Sequence, residues 1–450
     1  MPNEIYPDKD HWTPIESLDG HIFSAYLDTR PEVIIENYDF YTNIVWATVR
    51  IIAILPSDTK AEEVECIFKF ESKDRKNFYK KKTASKIKFF DVNWKLKYSS
   101  AVVTCDLTHT NYNNYDIFYQ EKQLPQSVGI VHKNSDNTSS QLIDINYPKH
   151  GVIQSDTFSN KFMALCVPGS LKTFFLHHEF DRPLELIEFI EYYRLMGVSQ
   201  FIFYNSSISE SVSRVLKYYR AIDYDLMKIL QWNLSSSYIY EQTLRLEGLY
   251  AGLNDCLYRN SLHDSFKYLG VFNVDEFLVT KIHKNFSNLM DYLDPLEYEE
   301  KNSNAVSFLF QHVFFYTMYP DDENNLDDKE PYLYTKEKIQ RLRYPHAAGV
   351  KSRYIVRTHD VVEIGNYQST KLLKDKFNEV IVRPDIALLH HYAPCEAEET
   401  GCYLKPIVID GTAVKFTDKL GKNVAIACQE IFNNDRCPLP KIRIPGEINS

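Results

Sequence analysis

Apolar residues in this chain recur in two rhythms, and the rhythm changes near Asn160. Before it come short β-branched or aromatic runs at residues 21–26, 45–55, 66–70, 101–107 and 128–132. Polar stretches such as 72–82 and 133–140 separate them, which predicts strands joined by surface loops. Residues 1–155 are therefore expected to form a β-rich N-terminal domain. The basic run 75–82 reads as a solvated face, and no repeat of fixed period is visible.

From Asn160 the pattern alternates between strand and helix. Residues 162–167 form an apolar run closed by Pro168 and Gly169. A helix is predicted to begin at Asp181-Arg182-Pro183, with Asp as N-cap and Pro at an early position, and to stop at Gly197. Leu184, Ile187, Ile190, Glu191 and Leu195 keep its helical spacing. Strand 200–204, amphipathic helix 209–220, strand 226–230, long helix 240–259 and strand 268–272 follow. Such alternation implies a parallel sheet with right-handed crossovers, an α/β nucleotide-binding architecture spanning residues 156–400. Within it, 305–315 reads as one central strand, 354–357 and 361–364 as short strands, and 387–392 as a strand ending in His390-His391. The acidic stretch 321–330 lacks EF-hand spacing and reads as solvated surface. Residues 401–450 form a C-terminal extension with a helix-like part at 424–432 and a Pro-rich polar tail.

The strand 268–272 ends in Asn273-Val274-Asp275-Glu276. Ligands of open α/β sheets sit outside the carboxyl ends of the strands. Two adjacent carboxylates there suit a divalent cation shared with a substrate phosphate. The chain has no G-x-G-x-x-G and no G-x-x-x-x-G-K-[ST], so neither a Rossmann dehydrogenase nor a P-loop enzyme is indicated.

Composition narrows the class further. A net charge of −10 and a pI near 5.8 argue against a nucleic-acid partner. With 44% apolar residues, 32 Tyr, 27 Phe and only 14 Gly, the chain of 450 residues has ample material for a core. Its eight cysteines include no C-x-x-C, against a zinc ribbon. Together with the sequons at Asn137, Asn205, Asn233 and Asn285, they favour a secretory lumen. Residues 1–14 carry no apolar signal region, and the run 44–55 is too short to span a bilayer and holds Arg50.

Several stretches together resemble glycosyltransferase family 92. They are FIEYYRLMGV at 189–198, FIFYN at 201–205, VLKYY at 215–219, LNDCLYR at 253–259 and NVDEF at 273–277. Flanking landmarks are SAYLDTR at 24–30, LCVP at 165–168, KSRYIVR at 351–357 and HHY at 390–392. The resemblance covers about residues 20–395. It implies a GT-A-like sheet flanked by helices, and inverting transfer of galactose from a UDP-sugar to an N-glycan or other glycan acceptor. It further implies manganese or another divalent cation, and a Golgi protein with a membrane anchor, which this chain does not display. The family's acidic motif reads D-x-D-E; here Asn273 replaces the first Asp, removing a charge near the pyrophosphate.

Roles follow from these two readings. Asp275 is the expected principal metal ligand, with Asn273 as a secondary contact to metal or ribose. Glu276 either touches metal or holds the loop by hydrogen bonds. His391 or His390 completes the metal shell or meets the pyrophosphate. Tyr204 and Asn205, at a strand end, and Asp255 are expected at the nucleotide; the alternative for Asp255 is a satisfied helix carboxylate. Cys166 and Cys256 read as structural. For the base that deprotonates the acceptor, the candidates are His359, Asp360 and Glu363. The competing reading is a catalytically silent domain that binds glycans or a protein partner.

Overall fold

The computed structural model describes residues 11–35, 44–71, 78–90, 95–109, 124–135, 141–149, 161–171, 180–239, 241–294, 304–322, 330–395, 401–433 and 437–438. The sequon at Asn137 and the middle of the acidic stretch, 323–329, lie outside them.

Eight strands form the N-terminal part: β1 (Thr13–Ile15), β2 (Gly20–Asp28), β3 (Ile44–Pro56), β4 (Val64–Glu71), β5 (Phe78–Phe89), β6 (Tyr98–His109), β7 (Ser127–His132) and β8 (Ile143–Asn146). They run in the order β1-β2-β3-β6-β5-β4-β7-β8, and β2 also pairs with β8, so the sheet closes into a barrel. Closure removes the exposed sheet edges that an open β-rich domain would have to protect. Strand β5 corrects the reading of 72–82 as loop for residues 78–82, while 72–77 lie outside the described residues. Its Lys82, Lys86 and Lys88 are exposed while Ser85 is buried, the period-2 signature of a strand with one wet face. Strand β3 shows why a run rich in Val and Ile tolerates Arg50: its guanidinium lies 3.5 Å from buried Asp28 and over the Tyr258 ring.

The second part is built on a seven-stranded sheet. Its strands are β9 (Met163–Leu171), β10 (Gln200–Asn205), β11 (Met227–Gln231), β12 (Tyr268–Val271), β14 (Ala305–Phe310), β17 (Arg353–Arg357) and β20 (Asn378–Val382). The order is β11-β10-β9-β12-β17-β14-β20. The first four are mutually parallel, β17 is antiparallel to both its neighbours, and β20 is parallel to β14. The sheet is therefore mixed. A three-stranded sheet, β13 (Glu276–Thr280), β21 (Ala387–Ala393) and β15 (His312–Tyr316), in the order β13-β21-β15, stands beside it. Two short pairs complete the set: β16 (Gln340–Leu342) with β22 (Ile407–Ile409), and β18 (Val361–Ile364) with β19 (Ser369–Leu372).

Alternating residues of the central strands feed two cores, as the strand period requires. Met163, Leu165, Phe201 and Phe203 point into a core shared with the helices Pro183–Leu195, Glu210–Ile222 and Thr417–Ile431. Ala164, Cys166, Ile202 and Tyr204 face the other way, toward helix Leu249–Tyr258 and the barrel residues Phe23, Tyr26, Ile52 and Tyr98. Helix Glu210–Ile222 is capped by Ser209, whose hydroxyl accepts from the Val212 N–H.

Four sequence expectations change. The residue at the cap position of helix Pro183–Leu195 is Arg182, while the Asp181 carboxylate accepts from the Ser209 hydroxyl. The long helix 240–259 shortens to Leu249–Tyr258, because Leu246, Glu247 and Gly248 have positive φ and break the chain direction. The apolar run 305–315 splits at Gln311 into β14 and β15, which belong to different sheets. Helix Thr417–Ile431, inside the presumed C-terminal extension, packs its Leu420, Val424 and Ile431 into the main core.

All eight cysteines pair: Cys66–Cys105, Cys166–Cys256, Cys395–Cys402 and Cys428–Cys437. Among the described residues no helix is long and apolar enough to cross a membrane.

Candidate active site

From β9 the chain crosses to β10 on one side, whereas β12, on the other side of β9, opens the remaining half of the sheet. This reversal of winding is a switch point, where open α/β sheets leave a crevice outside the strand ends. Strand β12 delivers Asn273, Asp275 and Glu276 to that crevice. Glu276 turns inward. Its Oε2 accepts from Arg353 Nε at 2.7 Å and from the Asn273 N–H at 2.7 Å, and the residue is only 2% exposed. The turn is locked further by the Tyr193 hydroxyl donating to the Glu276 carbonyl. Of the two roles expected of Glu276, its hydrogen bonds are those of loop holding.

Asp275 projects into the crevice with its side chain 20% exposed. Its Oδ1 lies 3.5 Å from His391 Nε2 and its Oδ2 3.4 Å from Arg182 Nη1. Burial pushes its pKa up, but the facing His391 and Arg182 outweigh this and hold the carboxyl below its ordinary value. The other nitrogen of His391 meets His312 Nε2 at 2.7 Å. His312 is fully buried, and burial together with the surrounding His391, His346, Arg353 and Lys351 holds its pKa well below the ordinary value. A neutral His312 can accept from Nδ1–H of His391, which leaves Nε2 of His391 turned toward Asp275. Metal-ligating imidazoles are commonly oriented by such a second hydrogen bond.

Asp275 and His391 together fit a hard or borderline cation. Two donors at about 2.1 Å from one ion stand about 3 Å apart at a right angle, close to the separation seen here. No group of three or more His, Cys, Asp or Glu side chains among the described residues is arranged as a metal site. A cation held by these two would draw its other ligands from phosphate and water. Asn273, two residues past the end of β12, is partly buried, and its backbone N–H is held by Glu276.

His390 is not part of this pair. It is fully buried, stacked on Phe315 at 4.3 Å, and burial lowers its pKa to about 3. Adjacent strand residues point to opposite faces, so of the two histidines only His391 turns to the crevice.

Asp255 and Tyr204 also stand apart from it. Asp255 is 0% exposed, and its oxygens accept from the hydroxyls of Ser24, Tyr26 and Tyr204 and from the guanidinium of Arg259. That is the satisfied helix carboxylate of the alternative reading, and it pins barrel strand β2 to the central sheet. Asn205 ends β10 at the same edge of the sheet as Asp275, with Oδ1 buried and accepting from none of the described residues.

The three candidate bases lie elsewhere. Because β17 is antiparallel to β12, pairing Arg357 with Tyr268 and Tyr354 with Val271, its carboxyl end arrives at the amino end of β12. His359 and Asp360 follow that end directly, on the opposite edge of the sheet from Asp275. His359 is exposed, and Asp360 is ion-paired with Arg357 at 2.5 Å. Glu363 is buried against the barrel, where Lys88 binds it at 2.7 Å. Sequence reasoning had no strand direction with which to see this. It also missed Arg182, His312 and Arg353. Arg182 and Arg353 lie inside stretches already singled out, and His312 lies at a break in an apolar run.

The fold and site thus describe a mixed α/β protein with Asp275, His391 and Arg182 gathered at a sheet switch point. Residues 175–431 match the model of Glycosyltransferase family 92, which is more than half of the 450-residue chain. The chain belongs to that family. No curated protein matches it. Among solved structures it is similar to one described as "WbbM bifunctional glycosytransferase apo structure". That likeness has 10% identity and a TM-score of 0.20, and covers 43% of this chain and 28% of the other, too little to bear on the fold.

Proposed function

We propose that the chain is a metal-dependent inverting glycosyltransferase that moves a hexose, galactose first among the candidates, from a UDP-sugar to a hydroxyl of an N-glycan or other glycan. The observation that carries this reading is the pairing of Asp275 with His391 at the carboxyl end of β12. A manganese ion or similar cation bound there would offset the charge that develops on the departing diphosphate. Asp275 and His391 would hold it, His312 would orient His391, and the Glu276–Arg353 pair would keep the turn rigid. The mixed sheet, with parallel strands feeding the crevice, supports a GT-A-like arrangement. Four disulfides support an oxidising compartment such as the Golgi lumen.

The test is calorimetric titration of UDP with and without manganese, followed by a screen of donor sugars. Metal-stimulated binding and turnover are expected. A second reading, a silent glycan-binding domain, draws on Asn273 in the acidic motif and on the contacts that Asp275 already makes with Arg182 and His391. Absence of UDP binding under both conditions would favour it.

A further inference from the structure

Arg182 is the side chain of the crevice that neither the motif nor the metal pair accounts for. It stands at the head of helix Pro183–Leu195, with its guanidinium 5.0 Å from the centre of the Phe180 ring. Its contact with Asp275 is long, at 3.4 Å through one terminal nitrogen. Its Nε is buried and meets no acceptor among the described residues. Guanidinium carries five N–H donors in a rigid fork that matches phosphate oxygens. A buried donor left without an acceptor is costly, and here it belongs to a cation. The residue thus has capacity for an anion that Asp275 alone does not fill. The positive end of the helix dipole at the same point favours the same sign of ligand.

Charge bookkeeping at Asp275 points the same way. With Asn273 in the motif and Glu276 committed to Arg353, Asp275 is the one carboxylate that these residues turn to the crevice, and Arg182 and His391 both face it. A divalent cation arriving alone would meet a carboxylate already neutralised by Arg182. A diphosphate arriving with it supplies the missing negative charge and an alternative partner for the guanidinium.

We propose that Arg182 grips the diphosphate of the donor and, by sharing Asp275 with the cation, makes cation binding depend on that anion. This rests on the reading of the crevice as a sugar-nucleotide site. It assigns Arg182 as a recognition residue for the diphosphate rather than for the base or the sugar.

The test compares the unaltered protein with Arg182→Gln and Arg182→Lys. Calorimetry reads uridine and UDP affinities without metal, and manganese binding without nucleotide is read from the electron paramagnetic resonance of the free ion. UDP is expected to bind Arg182→Gln at least about tenfold more weakly, the loss of one charge-assisted contact. Uridine affinity is expected to stay unchanged, manganese alone to bind equally or more tightly, and Arg182→Lys to fall between the two. Unchanged UDP affinity in Arg182→Gln overturns the proposal and leaves the glycosyltransferase reading standing. Equal losses for uridine and UDP, or weaker manganese binding, also overturn it, because they indicate a collapsed crevice. If the unaltered protein binds no UDP with or without manganese, the sugar-nucleotide reading fails and the proposal falls with it.

Discussion

Glu276 stands opposite His391 across the antiparallel pair β13–β21, and this register brings the His391 imidazole within 3.5 Å of the Asp275 carboxylate. A slip of one residue would present His390 instead, the histidine that is buried against Phe315. The crevice therefore depends on strand pairing over more than a hundred residues of sequence, in addition to the acidic motif itself.

The first prediction concerns this pair. Asp275→Ala is expected to reduce manganese-stimulated UDP binding and transfer at least about 100-fold, and His391→Ala about 10- to 100-fold, the range seen when metal-supporting contacts are lost. Circular dichroism should match the unaltered protein, since both side chains border the crevice. An Asp275→Ala protein with full metal-stimulated transfer would remove Asp275 from the reaction.

At the far edge of the sheet the opposite result is expected. His359→Ala and Asp360→Asn should leave UDP affinity within a factor of about 3, as substitutions away from a site usually do. Calorimetry reads it directly. A large loss of affinity in either variant would mean that these residues reach the nucleotide after all.

Removing Asp255 should cost stability rather than chemistry. Asp255→Ala leaves the buried Arg259 guanidinium and the hydroxyls of Ser24, Tyr26 and Tyr204 without their acceptor. A loss of about 3–5 kcal/mol is expected, the cost of breaking a buried ion pair from one side. Denaturant unfolding gives the value. A change below about 1 kcal/mol would contradict the pin between barrel and sheet.

The pH dependence of stability should carry the mark of Glu188. This buried carboxylate accepts from the N–H groups of Tyr334 and Thr335 and from the Thr335 hydroxyl, yet burial raises its pKa to about 7 from the ordinary 4.5. Between those values the folded protein holds a proton that the unfolded chain has lost. The stabilising effect is complete below about 4.5 and disappears as the pH rises through about 7. The melting temperature should fall over that window, and should fall less in Glu188→Gln, which cannot ionise. Parallel curves for the two proteins would rule the group out.

Much of this protein is legible in its residues taken locally. The five early apolar runs, the amphipathic helix that begins near Ser209 and the strand that leads to Asp275 all follow from period, because side-chain exposure repeats with the local geometry of the backbone. The motif stretches were enough to point to the family. What pairing decides was hidden. The closure of β2 on β8, the reversed direction of β17 and the register of β13 on β21 depend on contacts distant in sequence, and local periodicity carries no record of a strand's direction or partner. For that reason Asp275 and His391 could be named from the sequence, while Arg182 and His312 emerge only where the folded chain brings them to the same crevice.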